Sequence, residues 1–453
     1  MIMSSLYTQI CSGLLFPLHE LGKGHHTLRV KRELERTQWW TAEKIRELQV
    51  NRLKDLLIHA GDRVPYYREL FAQIGFDPRG IRSLDDLSRL PLLTKDVIRA
   101  NGLKLQAEGA KDVKRLSTTG SSGDPLQFYV GKARVSHDVA AKWRATRWWG
   151  VDIGDPEIVA WSSPIEISAQ DRARQARDAV FRTRLLSTHA LSPQKIDQFL
   201  DDIRAFRPRM LFGYPSSLAL IAQRAKDRGL RMDDFGVKVA FVTAERTYPH
   251  QRDVITQVFN CPVANGYGGR DAGFIAHECP AGGLHITAED IIVETVDSDG
   301  RPLPPGQAGE VVVTQLFTHD FPFVRYKNGD VAVLDNSACP CGRGLPLIKE
   351  VQGRTNDFLA TEEGGKVHDV AFAMLLREMP GVRQFKIIQE TLWLVRLQLV
   401  VEADFKESIQ RPKIEQVFRH HLGERLQLDV EYVAGIEPER SGKYRYVVSH
   451  VAQ

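Results

Sequence analysis

Apolar positions recur at helical spacing early in the chain and in short β-branched runs later. Ile45, Leu48, Leu53, Leu56 and Leu57 follow a near-3.6-residue repeat after Thr41, a good N-cap residue, and Pro65 stands just beyond the run. That pattern predicts a helix. The runs at 157–163, 238–245, 290–297 and 310–316 have the length and β-branched enrichment of strands, and helical patterns at 192–206 and 215–228 lie between them. Such alternation predicts a layered α/β body. Past Gly353 the pattern changes: the run from Val395 alternates apolar and polar, residues 405–421 read as a helix, and the run from Leu428 reads as another strand. The expected organisation is therefore a large multi-layer α/β domain with mixed β-sheets over 1–353 and a small α+β domain over 354–453.

Composition narrows the function classes. At 453 residues, with 43% hydrophobic and 26% charged side chains, the chain has ample material for a large core. The 61 basic and 57 acidic residues leave a net charge of +4 with no single-sign block, so no nucleic-acid partner is expected. The first twenty residues lack a basic n-region and any run long enough to span a bilayer, which predicts a cytoplasmic protein without an integral membrane segment. Residues 6–18 are mildly apolar and would dock onto their own domain, a partner or a membrane surface. Five cysteines, an odd and low number, argue against a disulfide framework. Four of them lie between Cys261 and Cys341.

Candidate chemistry begins at residues 116–128, LSTTGSSGDPLQF. Ser and Thr hydroxyls are donors, and glycines let backbone N–H groups approach an anion. The Lys-Ser/Thr ending of a Walker A loop is missing, and a solvated turn has a similar composition. In residues 265–271, NGYGGRD, an aromatic on a glycine-rich segment can cover a nucleobase and an acid can hold magnesium through oxygen. Residues 323–330, FVRYKNGD, read as a strand ending in an Asn-Gly-Asp turn with Asp330 at its tip, where a carboxylate can accept from ribose hydroxyls. Residues 353–357, GRTND, lie at the expected boundary. Residues 441–445, SGKYR, hold a lysine on a glycine turn, where a mobile cation could meet developing negative charge.

Taken in order, these segments resemble the adenylate-forming (AMP-binding) superfamily of acyl and aryl ligases. The similarity is to its phenylacetate–CoA ligase-like branch, including capsular-polysaccharide-biosynthesis members. HAGDRVPYYRELF, LPLLTK, TTGSSGDP, LFGYPSSL, TAE, YGGRDAGFIAHEC, RYKNGD, GRTNDF and SGKYR stand in the family's order over nearly the whole chain. The resemblance implies an N-terminal adenylation domain and a mobile C-terminal lid hinged near Asp357. It implies that Thr119, Gly120, Ser121, Ser122 and Gly123 wrap the ATP phosphates, that Tyr267 and Gly268 cover the adenine, that Asp330 holds the ribose, and that Arg354 steadies it. Glu245 would lie near the substrate, Asp271 would take a magnesium-associated position, and Lys443 would be the catalytic lysine. Asp271 departs from the family's usual glutamate by one methylene, and Lys327-Asn328-Gly329-Asp330 departs from an Arg-Thr-Gly-Asp type motif while keeping its glycine and acid.

The implied activity is ATP- and magnesium-dependent activation of a carboxylic acid as its adenylate, with transfer to CoA or an amine. Alternatives are adenylyl transfer to a hydroxyl or phosphate of a cofactor, and a non-catalytic zinc-containing interaction protein. Phe212, Tyr214, Glu245, Asn265 and Gly266 would line the acid pocket by family position, and relatives in the family are often homodimers. Trp39-Trp40 and Trp148-Trp149 read as packing or interface residues.

The remaining pattern is Cys279-x5-His285 followed by Cys339-Pro-Cys341. Three thiolates and one imidazole suit a closed, structural zinc site, with His277 as the substitute ligand if His285 points away. Members of the resembled branch look similar here.

Overall fold

The computed structural model describes residues 5–118, 126–161, 172–188, 192–354, 358–362, 366–368, 372, 375–376, 379–437 and 446–451. It divides into two compact units, Met1–Gln352 and Gly353–Gln453. Each has its own apolar core.

In the first unit the expected early helix runs over Ala42–Arg63, and the Thr41 hydroxyl accepts the Lys44 N–H at its start. Ile45, Leu53, Leu56, Leu57 and Ala60 are buried, at roughly 1.5–3 kcal/mol for each large side chain. Pro65, read as lying past the helix, opens the next one, Pro65–Ile74, where a missing N–H costs nothing.

The strands are β1 (Lys114–Ser117), β2 (Gln127–Val130), β3 (Glu157–Trp161), β4 (Thr183–Ser187), β5 (Met210–Gly213), β6 (Val239–Thr243), β7 (Val263–Gly269), β8 (Gly273–Glu278), β9 (Leu284–Ile286), β10 (Ile291–Val296), β11 (Ala308–Gln315), β12 (Tyr326–Asp335) and β13 (Leu347–Arg354). Among the described residues, β3 to β13 form one sheet in the order β10-β11-β12-β13-β9-β8-β7-β6-β5-β3-β4. Strands β3 to β7 pair in parallel, whereas β7 to β9 and β10 to β12 pair antiparallel. The sheet is therefore mixed. Helices Pro193–Phe206 and Pro215–Asp227 connect parallel strands and cover them with Phe199, Leu200, Leu218 and Ile221.

Strands β1 and β2 form an antiparallel pair. Between them Thr118 N–H donates to Leu126 O at 3.0 Å, and Leu126 N–H donates to the Thr118 hydroxyl at 2.9 Å. The hairpin ends therefore bracket the Ser/Thr/Gly segment. Thr119, Gly120, Ser121, Ser122 and Gly123 themselves lie outside the described residues.

The second unit contains β14 (Phe358–Ala360), β15 (Lys366–His368), β16 (Val382–Thr391), β17 (Leu394–Val401), β18 (Gln427–Tyr432) and β19 (Val447–Ser449). Four of these form a sheet in the order β18-β17-β16-β19. The alternation from Val395 becomes β17, with Val395, Leu397 and Leu399 buried against Ile414, Phe418 and Leu422 of helix Glu407–Leu422. Lys443 lies outside the described residues, and Arg354 is the last residue of β13.

Candidate active site and metal centre

The carboxyl ends of β3, β5, β6 and β7 converge on one side of the parallel part of the sheet, where α/β proteins place ligands. The glycine-rich segment is mostly strand. β7 continues through Gly269 and returns as β8, and Asp271 stands in the connection. Gly268 is required by close approach: a Cβ there would fall 2.3 Å from Gly273 O. The connection is pinned by Arg134 Nη2 donating to Arg270 O at 2.7 Å and by Gln315 Nε2 donating to Asp271 O at 2.7 Å.

The Asn-Gly-Asp segment is not a turn. It lies inside β12, where Val312 pairs with Lys327 but Glu310 pairs with Val331, so the strand carries extra residues as a bulge. Gly329 takes φ +91°, a conformation costly for other residues, and this redirects the chain between Asn328 and Asp330. A turn signal inside a strand becomes a bulge because β12 is held on both sides of it. Leu93 N–H donates to Arg325 O at 2.9 Å, Lys327 N–H donates to Leu93 O at 3.0 Å, and β11 pairs along the other edge.

The bulge and the hairpin meet through two crossed hydrogen bonds. Tyr267 of β7 donates its hydroxyl to Asp330 Oδ2 at 2.8 Å, while Tyr326 of β12 donates to Asp271 Oδ2 at 2.7 Å. Asn328 Nδ2 reaches Asp330 Oδ2 at 2.8 Å and the Tyr267 hydroxyl oxygen at 3.0 Å, and Asn328 Oδ1 accepts the Asp330 N–H at 3.0 Å. Asp330 of β12 is thus oriented from β7, and Asp271 of the β7–β8 connection from β12. Lys95 brings its ammonium 3.9 Å from the position of a Gly329 Cβ, adding a cation to the corner. Asp271 also accepts the Ala272 N–H through Oδ1 at 3.1 Å. A carboxylate offers about four lone-pair sites, so acceptor capacity remains for a hard cation such as magnesium.

Tyr267, Gly268, Asp271 and Asp330 are therefore brought together. Glu245 is placed differently: its Oε2 accepts the Ser216 N–H at 3.3 Å, at the start of helix Pro215–Asp227. It follows Ala244, whose φ of +70° is unusual for a residue other than glycine and marks strain where β6 exits. Beside it Trp161 stacks on Tyr214 at 4.4 Å and on Phe212 at 5.9 Å, and Phe212 stacks on Phe241 at 6.3 Å. Among the described residues the buried Trp161 Nε1 has no partner, a donor at the end of an aromatic tier. Sequence reasoning missed Trp161, Tyr326 and Asn328. The last two lie in the quoted FVRYKNGD run at alternate positions to Asp330, and that i, i+2, i+4 spacing was the available signal.

The cysteine pattern closes into one cluster. The ligand atoms of Cys279, His285, Cys339 and Cys341 lie within 4.8 Å of one another. Cys279 Sγ and Cys339 Sγ are 3.6 Å apart, and His285 Nε2 is 3.1 Å from Cys341 Sγ. Ligands at zinc–sulfur distances on a tetrahedron stand about 3.8 Å apart, so the donors fit a zinc ion. His285 Nδ1 faces Leu345 O at 3.3 Å, a contact that leaves Nε2 as the free lone pair. Burial lowers the His285 pKa to about 4, favouring the neutral ring that a metal needs, and raises the Cys279 thiol to about 11. His277, the expected substitute, is excluded from the cluster. It is buried in a stack with Phe274 at 5.4 Å and a tilted contact with Phe241 at 5.8 Å. Cys11 and Cys261 are buried elsewhere.

Comparison with known proteins follows the same lines. Residues 359–450 match the CapK C-terminal domain model. A phenylacetate–coenzyme A ligase of Thermus thermophilus is 27% identical over 85% of this chain and 86% of its own. Protein CapK of Staphylococcus aureus is 24% identical over 89% of each chain. Among solved structures, 2-hydroxyisobutyryl-CoA ligase in its postadenylation state with 2-HIB-AMP matches with a TM-score of 0.75 at 21% identity, over 90% of each chain. The same ligase with 2-HIB-AMP and CoA in its thioesterification state gives a TM-score of 0.62 at 22% identity, over 91% of each chain.

The fold is that of the adenylate-forming ligases. Within that fold, the chain is similar in sequence to phenylacetate–CoA ligases and to CapK, and its C-terminal residues 359–450 match the CapK C-terminal domain. None of the described helices is long and apolar enough to cross a membrane.

Proposed function

We propose that this enzyme activates a carboxylic acid with ATP and passes the acyl group to CoA or an amine. The observation that carries this reading is the crossed Tyr267–Asp330 and Tyr326–Asp271 arrangement, which presents two oriented carboxylates at one corner. In the first half-reaction the substrate carboxylate oxygen bonds to the α-phosphorus of ATP, the α–β phosphoanhydride bond breaks, and acyl-adenylate and pyrophosphate result. In the second, the acceptor displaces AMP from the acyl carbon.

The residues divide this work. Asp330, held by Tyr267 and Asn328, accepts from the ribose hydroxyls and fixes the nucleotide, and Arg354 steadies it. Tyr267 and Gly268 cover the adenine, and Asp271 orients the metal–phosphate end. Bound magnesium would neutralise phosphate charge there, with oxygen ligands from Asp271. Residues 119–123 and Lys443 supply donors and a cation to the phosphates, where positioning and charge stabilisation give most of the acceleration. The Trp161–Tyr214–Phe212 tier supports an aryl or small acyl acid. The relatives named for phenylacetate and 2-hydroxyisobutyryl substrates support CoA as the acceptor. Cys279, His285, Cys339 and Cys341 would hold a structural zinc, whose four protein ligands leave no open catalytic position.

The test is pyrophosphate release from ATP and magnesium across a panel of aryl, acyl and amino acids, comparing wild type with Lys443→Ala. Release that depends on one acid and falls by orders of magnitude in the variant is the expected result. ATP binding without release on any acid would shift the assignment to adenylyl transfer or to a non-catalytic zinc protein.

A further inference from the structure

The start of the described chain is an amphipathic helix mounted the wrong way round. Leu6–Ile10, Cys11–Leu15 and Phe16–Gly22 follow one another without a break, the middle segment as a π-turn, over about 25 Å. Its inward face carries polar anchors beside the buried Cys11 and Phe16. The Thr8 hydroxyl donates to Asp155 Oδ1 at 2.8 Å, and Glu20, only 4% exposed, accepts from the Thr27 hydroxyl. Cys11 packs so closely on Gly154 that a Cβ there would lie 2.4 Å from the Cys11 Cβ. Its outward face carries the leucines: Leu6 is 74% exposed, Leu14 55%, Leu18 57% and Leu21 74%, with Ile10 and Tyr7 also exposed. The helix carries no lysine or arginine, and its one carboxyl side chain, Glu20, is buried. A solvent-facing helix surface normally carries charge, and a continuous apolar stripe of this length marks an interaction face.

What lies beside the stripe identifies the occupant. Lys23 follows the helix, and Arg174, Arg177 and Lys114 stand close enough to depress its pKa, after the larger effect of burial. Arg182 stacks over the Tyr7 ring at 5.4 Å, and the Tyr7 hydroxyl donates to Val180 O at 2.8 Å. These contacts bind the stripe to helix Arg172–Val180, which contributes three arginines against Asp178 and buries none of its residues.

We infer that the helix Leu6–Gly22 and the adjoining cations Lys23, Lys114, Arg174, Arg177 and Arg182 form a docking face for an anionic lipid bilayer. The helix lies in the interface plane with its leucines among the acyl chains. Interfacial helices combine apolar burial with attraction to anionic headgroups, and here Arg174 and Arg177 come from the neighbouring helix while Lys23, Lys114 and Arg182 flank it. A second copy of the chain fits the face poorly, because a symmetric contact would set the same cations against one another.

The probe is co-sedimentation of the full chain with vesicles of phosphatidylcholine alone and of phosphatidylcholine mixed with phosphatidylglycerol. The expected result is binding to the mixed vesicles that weakens with salt, and at least about tenfold weaker binding to the neutral ones. Leu14→Ser/Leu18→Ser, both exposed positions, should weaken binding about tenfold or more with an unchanged melting temperature. Lys23→Gln/Arg177→Gln should remove the preference for anionic vesicles. Absence of binding at low salt, equal binding of the leucine variant, or a concentration-dependent dimer dissolved by the leucine variant without vesicle binding would each overturn the assignment.

Discussion

The Tyr267 hydroxyl donates to Asp330 Oδ2 at 2.8 Å, joining the glycine-rich end of β7 to the bulge of β12. The matching bond from Tyr326 to Asp271 runs the other way. The two acids are therefore positioned as a pair, and the consequences can be measured separately.

Removing the acid and removing its orienting hydroxyl should differ in size. Asp330→Ala is expected to raise the KM for ATP by about tenfold to a hundredfold, the scale of one or two lost charge-assisted hydrogen bonds. Tyr267→Phe retains the ring and should cost about threefold to tenfold, since Asn328 still reaches the carboxylate. Steady-state pyrophosphate kinetics with varied ATP separate these outcomes. Equal losses would mean that the hydroxyl does more than orient.

The cysteine cluster should hold one zinc per chain. Elemental analysis of purified protein gives the stoichiometry, and a strong chelator should lower the melting temperature. Cys339→Ser and His285→Ala should each abolish retention, whereas His277→Phe should retain the ion, because that ring stacks on Phe274 outside the cluster.

The salt bridge between Arg144 Nη1 and Glu289 Oε1, 2.8 Å long, is almost completely buried, and the Thr37 hydroxyl adds a bond to the same oxygen at 2.7 Å. Glu289→Ala should cost about 3–5 kcal/mol, because the guanidinium would be left buried without its counter-charge. Denaturant midpoints measure this. A loss below about 1 kcal/mol would show that solvent reaches Arg144.

Acid should weaken the first unit in part through His319. Burial, followed by repulsion from His59 at a ring separation of 4.9 Å, lowers its pKa. The unfolded chain then takes up this proton before the folded one does. The contribution is complete above the unfolded pKa and is lost as pH falls through and below it. Melting curves between about pH 7.5 and 5.5 should slope less steeply in His319→Gln than in wild type. Identical slopes would exclude His319 as a contributor.

Much of the local structure was legible because periodicity and capping act over short distances. Thr41 caps the helix it was expected to cap, the runs from Glu157, Lys238 and Asp290 contain β3, β6 and β10, and the run from Glu310 covers β11 except for Ala308 and Gly309. The candidate ligands Cys279, His285, Cys339 and Cys341 were readable from residue type alone, and their ligand atoms converge. Long-range pairing was not readable. Asn-Gly-Asp signals a turn locally, yet pairing to Leu93 and β11 on either side keeps it within β12 as a bulge. Nor could spacing show that Tyr326 serves Asp271, or that Glu245 would face the start of a helix. Such partners are chosen by the fold, and the one-dimensional pattern carries no record of them.

A metal held by the cysteine cluster would also set an order of events during synthesis. Cys279 and His285 emerge with β8 and β9, but Cys339 and Cys341 follow only after β10, β11 and β12 have been made. A four-ligand clamp cannot close until residue 341 has left the ribosome. The parallel strands can pair and pack before that point, and capture of an ion would then fasten a 60-residue loop between Cys279 and Cys339. Metal supply would thus act on the final stage of assembling the first unit, after its strands have formed.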